Sequence, residues 1–284
     1  MPAAHPMVLG CDFSSNPSRR KPIVQAYGVW DAASRSVQLQ GFGCFATLDA
    51  WSGFLAQDLA WVGGFDLPFA LPRELVAQLG WPTDWQACMQ HYAGQARAQI
   101  REQFKAFCAG RPVGGKFAHR VTDGPAGSSP SMKWVNPPVA YMLHAGVPRL
   151  LAAGADFPGL LRRESHKVAL EAYPGLLARE LIGRRSYKSD DRQRQTPERA
   201  AARQDCLTAL LQGRHSLQLR LMANPAQQEC MLQDASGDHL DAAICMLQAA
   251  WGLSRHLQGD AHYGLPTGTD PLEGWIVTAP LSRA

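Results

Sequence analysis

The order of the short apolar segments in the first 66 residues constrains the fold more than any other feature of this sequence. Strand-like runs cover Met7–Phe13, Ile23–Trp30, Ser36–Phe42 and Trp61–Asp66. Short polar connections between the first three runs predict antiparallel strands. The fourth run follows a predicted helix, and a strand that returns through a helix usually lies parallel to its neighbour. The order β-β-β-α-β therefore predicts an α/β fold built on a mixed sheet.

Downstream of this segment, Pro, Gly and helix-capping residues divide the chain into further elements. Predicted helices cover Leu48–Leu59 (capped by Thr47), Trp85–Cys108, Val139–Ala153, Thr196 to Gly213, a segment opened by Asn224-Pro225, and a segment capped by Ser236. Lys167–Tyr173 is a predicted strand, Gly274–Thr278 is predicted to be a final short strand or an extended tail, and the Gly-, Pro- and Ser-rich stretch Gly110–Pro138 is a predicted loop. Because no second core with its own boundary is evident, we expect a single domain over residues 1–284, flanked by helices, with a helical and loop insertion at about 73–164.

The composition is that of a globular chain. Hydrophobic residues make up 46% and charged residues 18% of the 284, which argues against disorder and against a coiled coil. No apolar run approaches the roughly 18 residues of a membrane-spanning helix, and the first ten residues lack the basic and apolar regions of a signal peptide. Seven scattered cysteines without a CxxC pair indicate free thiols. These features predict a cytoplasmic protein without a membrane partner.

The positive charge is concentrated in one part of the chain. The formal net charge is only +4, yet Leu160 to Arg220 contains thirteen Lys and Arg against seven Asp and Glu. A solvated helical face explains such a stretch, and so does a surface that faces phosphates. The sequence leaves both interpretations open.

Five carboxylates occupy positions where an apolar residue is expected, or lie beside such positions. They are Asp12 in the first strand, Asp66 at the end of the fourth, Glu171 in an apolar strand, and Asp238 and Asp241 on one helix face. Each has an ordinary alternative: a turn for Asp12 or Asp66, an ion pair with Lys188 for Glu171, and a helix-dipole contact for Asp238. Asp241 is the hardest to dismiss, because it lies beside the apolar stripe that contains Leu240, Ile244 and Leu247.

Three of these carboxylates are predicted to meet. Parallel strands bring their carboxyl ends to one edge of a sheet, so Asp12 and Asp66 converge if the first and fourth strands pair. A helix packed on that sheet can bring Asp241 to the same place. Clustered carboxylates repel one another unless a cation neutralises them, and Mg²⁺ or Mn²⁺ favours such oxygen ligands. Two such ions can activate a water for phosphodiester hydrolysis. We therefore expect Asp12, Asp66 and Asp241 to be metal ligands, with Glu171 and Asp238 in supporting catalytic roles.

Basic side chains supply candidate substrate contacts. Arg120 and Lys133 lie in or beside the predicted loop, and Lys188 lies in the basic stretch. Lys and Arg hold phosphates in nucleic-acid complexes. Exposed loop charges with no partner are the ordinary alternative for Arg120 and Lys133.

Several segments of the chain resemble a known family. They are Gly10-Cys-Asp12, the segment from Gly64 to Pro72, Glu171-Ala-Tyr-Pro174, Tyr187-Lys188, Asp238-x-x-Asp241-Ala and Glu273-Gly-Trp-Ile. In this order they resemble a domain-of-unknown-function family described as predicted RNase-H-like nucleases. The Asp238-x-x-Asp241-Ala segment is also similar to the corresponding helix of RuvC-type junction resolvases. The resemblance implies a ribonuclease-H-like fold and a metal-dependent nuclease acting on DNA or RNA.

Two other functions stay open at this point. The same fold can serve as an inactive module that binds nucleic acid or protein. An actin-like phosphotransferase shares related sheet topology but needs glycine-rich phosphate loops after the first and fourth strands. The segments after Asp12 and Asp66 lack those glycines, so the sequence favours this alternative least.

Overall fold

The structure is a computed structural model that describes residues 6–281. Residues 1–5, on which the prediction of no signal peptide partly depends, lie outside the described residues. Among residues 6–281, no helix combines the length and the apolar character that crossing a membrane requires. The seven cysteines are all free, and Cys44 and Cys230 are the two that are exposed.

Six strands form one mixed sheet. They are β1 (Met7–Asp12), β2 (Ile23–Asp31), β3 (Ser36–Phe45), β4 (Trp61–Asp66), β5 (Lys167–Glu171) and β6 (Arg220–Met222), in the order β5-β4-β1-β2-β3-β6. Strand β2 runs antiparallel to β1 and β3, and the remaining neighbours pair in parallel. The predicted α/β class and the mixed sheet are confirmed. The three-residue edge strand β6 has no counterpart in the sequence-based prediction.

Ten α-helices surround the sheet in the described part of the chain. They are α1 (Leu48–Leu55), α2 (Arg73–Gln78), α3 (Trp85–Ala93), α4 (Arg97–Ala109), α5 (Asp123–Ala126), α6 (Val139–Ala152), α7 (Pro174–Ile182), α8 (Pro197–Gln212), α9 (Pro225–Gln233) and α10 (Asp238–Leu257). One apolar core joins one face of the sheet to α7–α10, and a second joins the other face to α1–α4 and α6. The predicted insertion therefore packs directly on the sheet.

Several local predictions are confirmed by the cap geometry. The Thr47 hydroxyl accepts a hydrogen bond from the Ala50 N–H at 3.1 Å, which begins α1 as expected. Helix α8 starts at Pro197 and ends before Gly213, which takes a left-handed conformation. The Asn224 side chain caps α9 by accepting a hydrogen bond from Gln227 N–H at 2.9 Å.

Other local predictions are wrong for identifiable reasons. The expected helix Trp85–Cys108 is two helices, because the chain turns after Gly94 and stacks Tyr92 against Phe104 with ring centroids 6.2 Å apart. Gly237 rather than Ser236 precedes α10, and the Ser236 hydroxyl instead contacts Asp234. Of the two forms expected for Gly274–Thr278, a short strand or an extended tail, the strand does not form. The segment contacts β5 through a hydrogen bond that Val277 N–H donates to the Glu171 carbonyl at 2.7 Å.

Candidate functional site

Two aspartates end adjacent parallel strands at the same level. Asp12 is the last residue of β1, Asp66 is the last residue of β4, and the two are direct partners in the strand register. This pairing follows from the sequence, since both strands are six residues long and begin in register at Met7 and Trp61. The expected convergence of these two positions is therefore present at the carboxyl edge of the sheet.

Two glycines bring helix α10 down onto that edge. Gly10 of β1 and Gly64 of β4 are register partners. A Cβ on Gly10 would lie 2.1 Å from the Ala242 carbonyl oxygen, and one on Gly64 would lie 2.3 Å from that of Cys245. Since real Cβ atoms do not approach so closely, only glycine lets the helix backbone lie directly on the strands.

The close packing buries the first turn of α10 beside the strand ends. Asp241 has no exposed surface, and Asp238 is also buried. The Tyr187 hydroxyl donates a hydrogen bond to Oδ1 of Asp241, and the Lys188 ammonium forms an ion pair with Oδ2. Both oxygens of the central aspartate are therefore engaged by neighbours from the segment between α7 and α8.

The pKa of Asp12 is shifted by burial and by its charged neighbours. Burial raises its pKa well above the ordinary value, and the nearby negative charge of Asp238 adds to the effect. Asp241 and Asp66 raise it further, while the positive charge of Lys188 opposes the shift. No described hydrogen bond or ion pair involves the Asp12 carboxylate within residues 6–281.

The pKa values of Asp66 and Asp238 are raised, as is that of Asp12. Burial raises the pKa of Asp66 to about 7; Lys188 acts against this shift, and Asp241 reinforces it. Burial also raises the pKa of Asp238, with Lys21 acting against the shift. Burial and the charge of Asp66 raise the pKa of the Cys245 thiol well above its ordinary value. The buried space between the strand ends and α10 therefore favours the protonated, neutral form of these groups unless a cation is present.

Three cavities meet at Asp66 and Lys188. An open cleft of about 640 Å³ contains Asp12, Asp66 and Asp238. Cavities of about 320 Å³ and about 200 Å³ adjoin it, and Asp66 and Lys188 line all three. The acids are thus accessible from solvent through a space large enough for part of a polymeric substrate.

Glu171 lies near this group but belongs to a different network. Its two carboxylate oxygens accept hydrogen bonds from the Arg120 guanidinium at 2.6 and 2.8 Å, and Oε2 also accepts one from Phe69 N–H at 2.9 Å. Arg120 is buried and bonds Asp123 at 2.9 Å as well. The structure therefore places Arg120 and Glu171 in a paired core network that ties the insertion to β5. The ion pair with Lys188 that the sequence allowed for Glu171 does not form, because Lys188 pairs with Asp241.

The basic stretch divides between structural and exposed side chains. Arg203 is buried and donates to the carbonyls of Tyr187 and Leu232 at 2.6 and 2.9 Å. Arg199 donates to the Lys188 carbonyl at 2.5 Å. Lys133, in the insertion, lines none of the three cavities. Of the three predicted phosphate contacts, only Lys188 lies in the cleft with a partly exposed side chain.

Sequence reasoning missed two residues that shape the site. Tyr187 was part of the family resemblance, but its hydrogen bond to Asp241 has no signal in the local sequence because 54 residues separate the two. Lys21 lines the cleft and pairs with Asp190 at 2.5 Å. Its location in the β1–β2 connection, which follows Asp12, could have indicated proximity to the acids.

The donor set suits a hard divalent cation, but the acids are not gathered as a metal site. Carboxylate oxygens with surplus negative charge are the ligands that Mg²⁺ and Mn²⁺ prefer. Among residues 6–281, no three acidic, histidine or cysteine side chains approach closely enough to hold a metal ion. The oxygen donors are of the kind that this cation binds, but the described residues do not assemble them around one point, and Lys188 is bound to Asp241, the most buried of the expected ligands.

Comparison of the chain with protein-family models, with curated proteins and with solved structures finds no match.

Proposed function

We propose that this protein is a metal-dependent nuclease on a ribonuclease-H-like fold. The observation that carries the proposal is the register pairing of Asp12 with Asp66 beneath the buried Asp241. Strand order β3-β2-β1-β4-β5, with β2 alone antiparallel among these five, supports the same fold. Acids on the first strand, the fourth strand and a late helix are the arrangement that the sequence resemblance implies.

Asp12, Asp66 and Asp241 are the residues that would hold Mg²⁺ or Mn²⁺, and Asp238 would support them from the same helix face. Such an ion supplies a Lewis acid that activates water and stabilises the leaving oxygen in phosphodiester hydrolysis. The protein contributes a fixed position for each carboxylate, since two end paired strands and one is anchored on α10. The open cleft of about 640 Å³ provides room for part of a DNA or RNA strand at Asp12, Asp66 and Asp238.

The test is metal-dependent cleavage by the purified full chain. Single-stranded, duplex and branched DNA and RNA are incubated with Mg²⁺, with Mn²⁺ or with EDTA. We expect cleavage of at least one substrate with metal, and a reduction of at least about 100-fold in Asp12→Asn and in Asp241→Asn. Asp58→Asn is the matched control, because its side chain is 99% exposed and remote from the cleft residues, and it should keep full activity. Absence of cleavage above the Asp12→Asn level on every substrate contradicts the proposal.

One observation favours a second candidate, a module that binds nucleic acid without cutting it. Both oxygens of Asp241 are already engaged by Tyr187 and Lys188. For such a module, binding of the same substrates persists in Asp12→Asn and is lost with rising salt, and no divalent ion binds at the acids. Cleavage that depends on Asp12 excludes it.

A further inference from the structure

Lys188 lies among four carboxylates at the edge of the sheet, because it lines the open cleft with Asp12, Asp66 and Asp238 and its ammonium pairs with Asp241. Among the groups that set their pKa values, Lys188 lowers those of Asp12, Asp66 and Asp238 while its ammonium is bound to Asp241. All three of these pKa values nevertheless remain raised. Lys188 is therefore placed among these acids as a counter-ion, and Lys21 is a second cation on the same cleft.

The two members of the ion pair differ in their freedom to move. Asp241 has no exposed surface and lies in the first turn of a 20-residue helix packed on the sheet. The Lys188 side chain is 41% exposed and faces the open cleft. The ammonium can leave the carboxylate without opening the core, whereas the carboxylate cannot follow it.

The backbone that carries Lys188 is held in place. Arg203 and Arg199 donate hydrogen bonds to the carbonyls of Tyr187 and Lys188. Ser189 N–H donates to the Ala235 carbonyl at 3.0 Å, which ties the segment to the turn before α10. Exchange of the ammonium between two positions therefore needs only rotation of the lysine side chain, which costs little and occurs rapidly in exposed residues.

A glycine provides the space in which the lysine stem lies. Gly237 precedes α10 with a φ of +80°, and a Cβ at that position would lie 2.8 Å from Cβ of Lys188 and 3.0 Å from its Cδ. The stem thus runs over the start of α10 and delivers the charge to Asp241 on the first turn. The absence of a side chain at Gly237 therefore allows the fold to place Lys188 beside Asp241.

We propose that Lys188 is the resident cation of the acidic centre and that a divalent metal ion binds by displacing its ammonium from Asp241. The inference rests on the proposed function for the identity of the competing ion. Lys188 and the metal are then mutually exclusive partners of Asp241, so Lys188 sets the metal concentration at which the site fills. Displacement also frees the lysine to contact a substrate phosphate in the same cleft.

Metal affinity tests this exchange without any nuclease assay. Mn²⁺ and Mg²⁺ are titrated into the purified full chain by calorimetry at fixed pH and ionic strength. Because removal of a competing unit charge favours the metal, Lys188→Gln should bind Mn²⁺ at least about tenfold more tightly than the wild type. Lys188→Arg keeps the charge and should keep the weaker affinity. Lys133→Gln is the matched control, since Lys133 lies in the insertion and lines none of the three cavities, and it should change the affinity less than about threefold.

Amine labelling follows the displacement directly. The wild-type chain is acetylated briefly with and without saturating Mn²⁺, and the labelled peptides are quantified by mass spectrometry. We expect Lys188 to be protected without metal and to label several-fold faster with it, while Lys21 labels at one rate in both conditions. This measurement uses only the wild type, so it decides the question even if Lys188→Gln does not fold.

The outcomes separate this inference from the proposed function. Unchanged or weaker Mn²⁺ affinity in Lys188→Gln, or Lys188 labelling that is indifferent to Mn²⁺, overturns the exchange even if the wild type cleaves nucleic acid. If neither the wild type nor Lys188→Gln binds Mn²⁺ or Mg²⁺, the exchange and the metal-dependent nuclease both fail. Tighter binding in Lys188→Gln together with metal-dependent labelling supports the exchange, whatever the substrate proves to be.

Discussion

Asp66 and Glu171 end neighbouring parallel strands, yet their surroundings are opposite. Glu171 forms a two-bond ion pair with the buried Arg120 and also accepts a backbone N–H. Asp66 forms no ion pair among the described residues, and burial raises its pKa to about 7. One strand end is neutralised by an ion pair within the core, and its neighbour is a buried carboxyl without an ion pair among the described residues, beside an open cleft.

The difference separates a structural acid from a candidate functional one. Buried ion pairs hold elements in a fixed arrangement, and Arg120 joins the insertion, through Asp123, to Glu171 of β5. Under-compensated carboxylates cost stability and are retained where a ligand supplies the missing charge. The location of an acid at a strand end is therefore insufficient evidence of function, and its pairing decides between the two roles.

The largest expected effect is a loss of stability when the ion pair between Glu171 and Arg120 is broken. Glu171→Gln leaves the Arg120 guanidinium with only part of its compensation in the core, and we expect it to lower the free energy of unfolding by about 3–5 kcal/mol. Asp66→Asn is the matched change one strand away. It removes a strained charge and should leave the metal-free protein as stable as the wild type or more so. Urea unfolding followed by tryptophan fluorescence measures both.

Changes of opposite sign in the free energy of unfolding of these two variants would support the contrast between Glu171 and Asp66. Equal losses of stability in Glu171→Gln and Asp66→Asn would break it, because Asp66 would then have a stabilising partner comparable to Arg120.

The sequence predicted the positions of the acids better than their partners. Apolar runs located β1 and β4, and the apolar stripe located the helix that carries Asp241 although its predicted cap, Ser236, was wrong; short-range patterns determine where elements form. The pairing of Arg120 with Glu171 spans 51 residues, and that of Lys188 with Asp241 spans 53. Such contacts depend on how separate segments pack, which local patterns do not encode. The same limit explains why Arg120 resembled an exposed loop charge in the sequence but is buried in the structure.

The pH dependence of stability tests the buried Asp66 carboxyl, and the expected effect is smaller. The pKa of Asp66 is about 7 in the folded protein against a reference value of 3.8. Because the folded state holds this proton more tightly, Asp66 lowers stability as pH rises from about 4 to about 7, and its contribution is constant above that range. Each pKa unit is worth about 1.4 kcal/mol, and water in the cleft reduces the total, so we expect a decline on the order of 2 kcal/mol.

Thermal or urea unfolding of metal-free protein across this pH range measures the decline. Asp66→Asn should remove the part of the decline that Asp66 contributes and leave the part due to Asp12 and Asp238, whose pKa values are also raised. Glu171→Gln should keep the Asp66 part, since the Asp66 carboxyl remains. If stability declines by the same amount in Asp66→Asn, the decline belongs to other groups, and the Asp66 carboxyl does not have a raised pKa.

The smallest expected effect on stability comes from Lys21 at the rim of the cleft. Its ion pair with Asp190 is exposed on both sides, so Lys21→Ala should change the free energy of unfolding by less than about 1 kcal/mol.

Nucleic-acid binding should respond more clearly to Lys21→Ala, because Lys21 lines the cleft with Asp12 and Asp238. Loss of one phosphate contact changes the salt slope of affinity by about one unit. Fluorescence polarisation of a labelled oligonucleotide at increasing KCl measures that slope. Lys133→Ala is the matched loss of charge outside the three cavities and should leave the slope unchanged. If the salt slope is reduced in Lys133→Ala and unchanged in Lys21→Ala, the nucleic acid binds on the insertion rather than over Asp12 and Asp238. The contrast between Asp66 and Glu171 would then not reflect nucleic-acid binding.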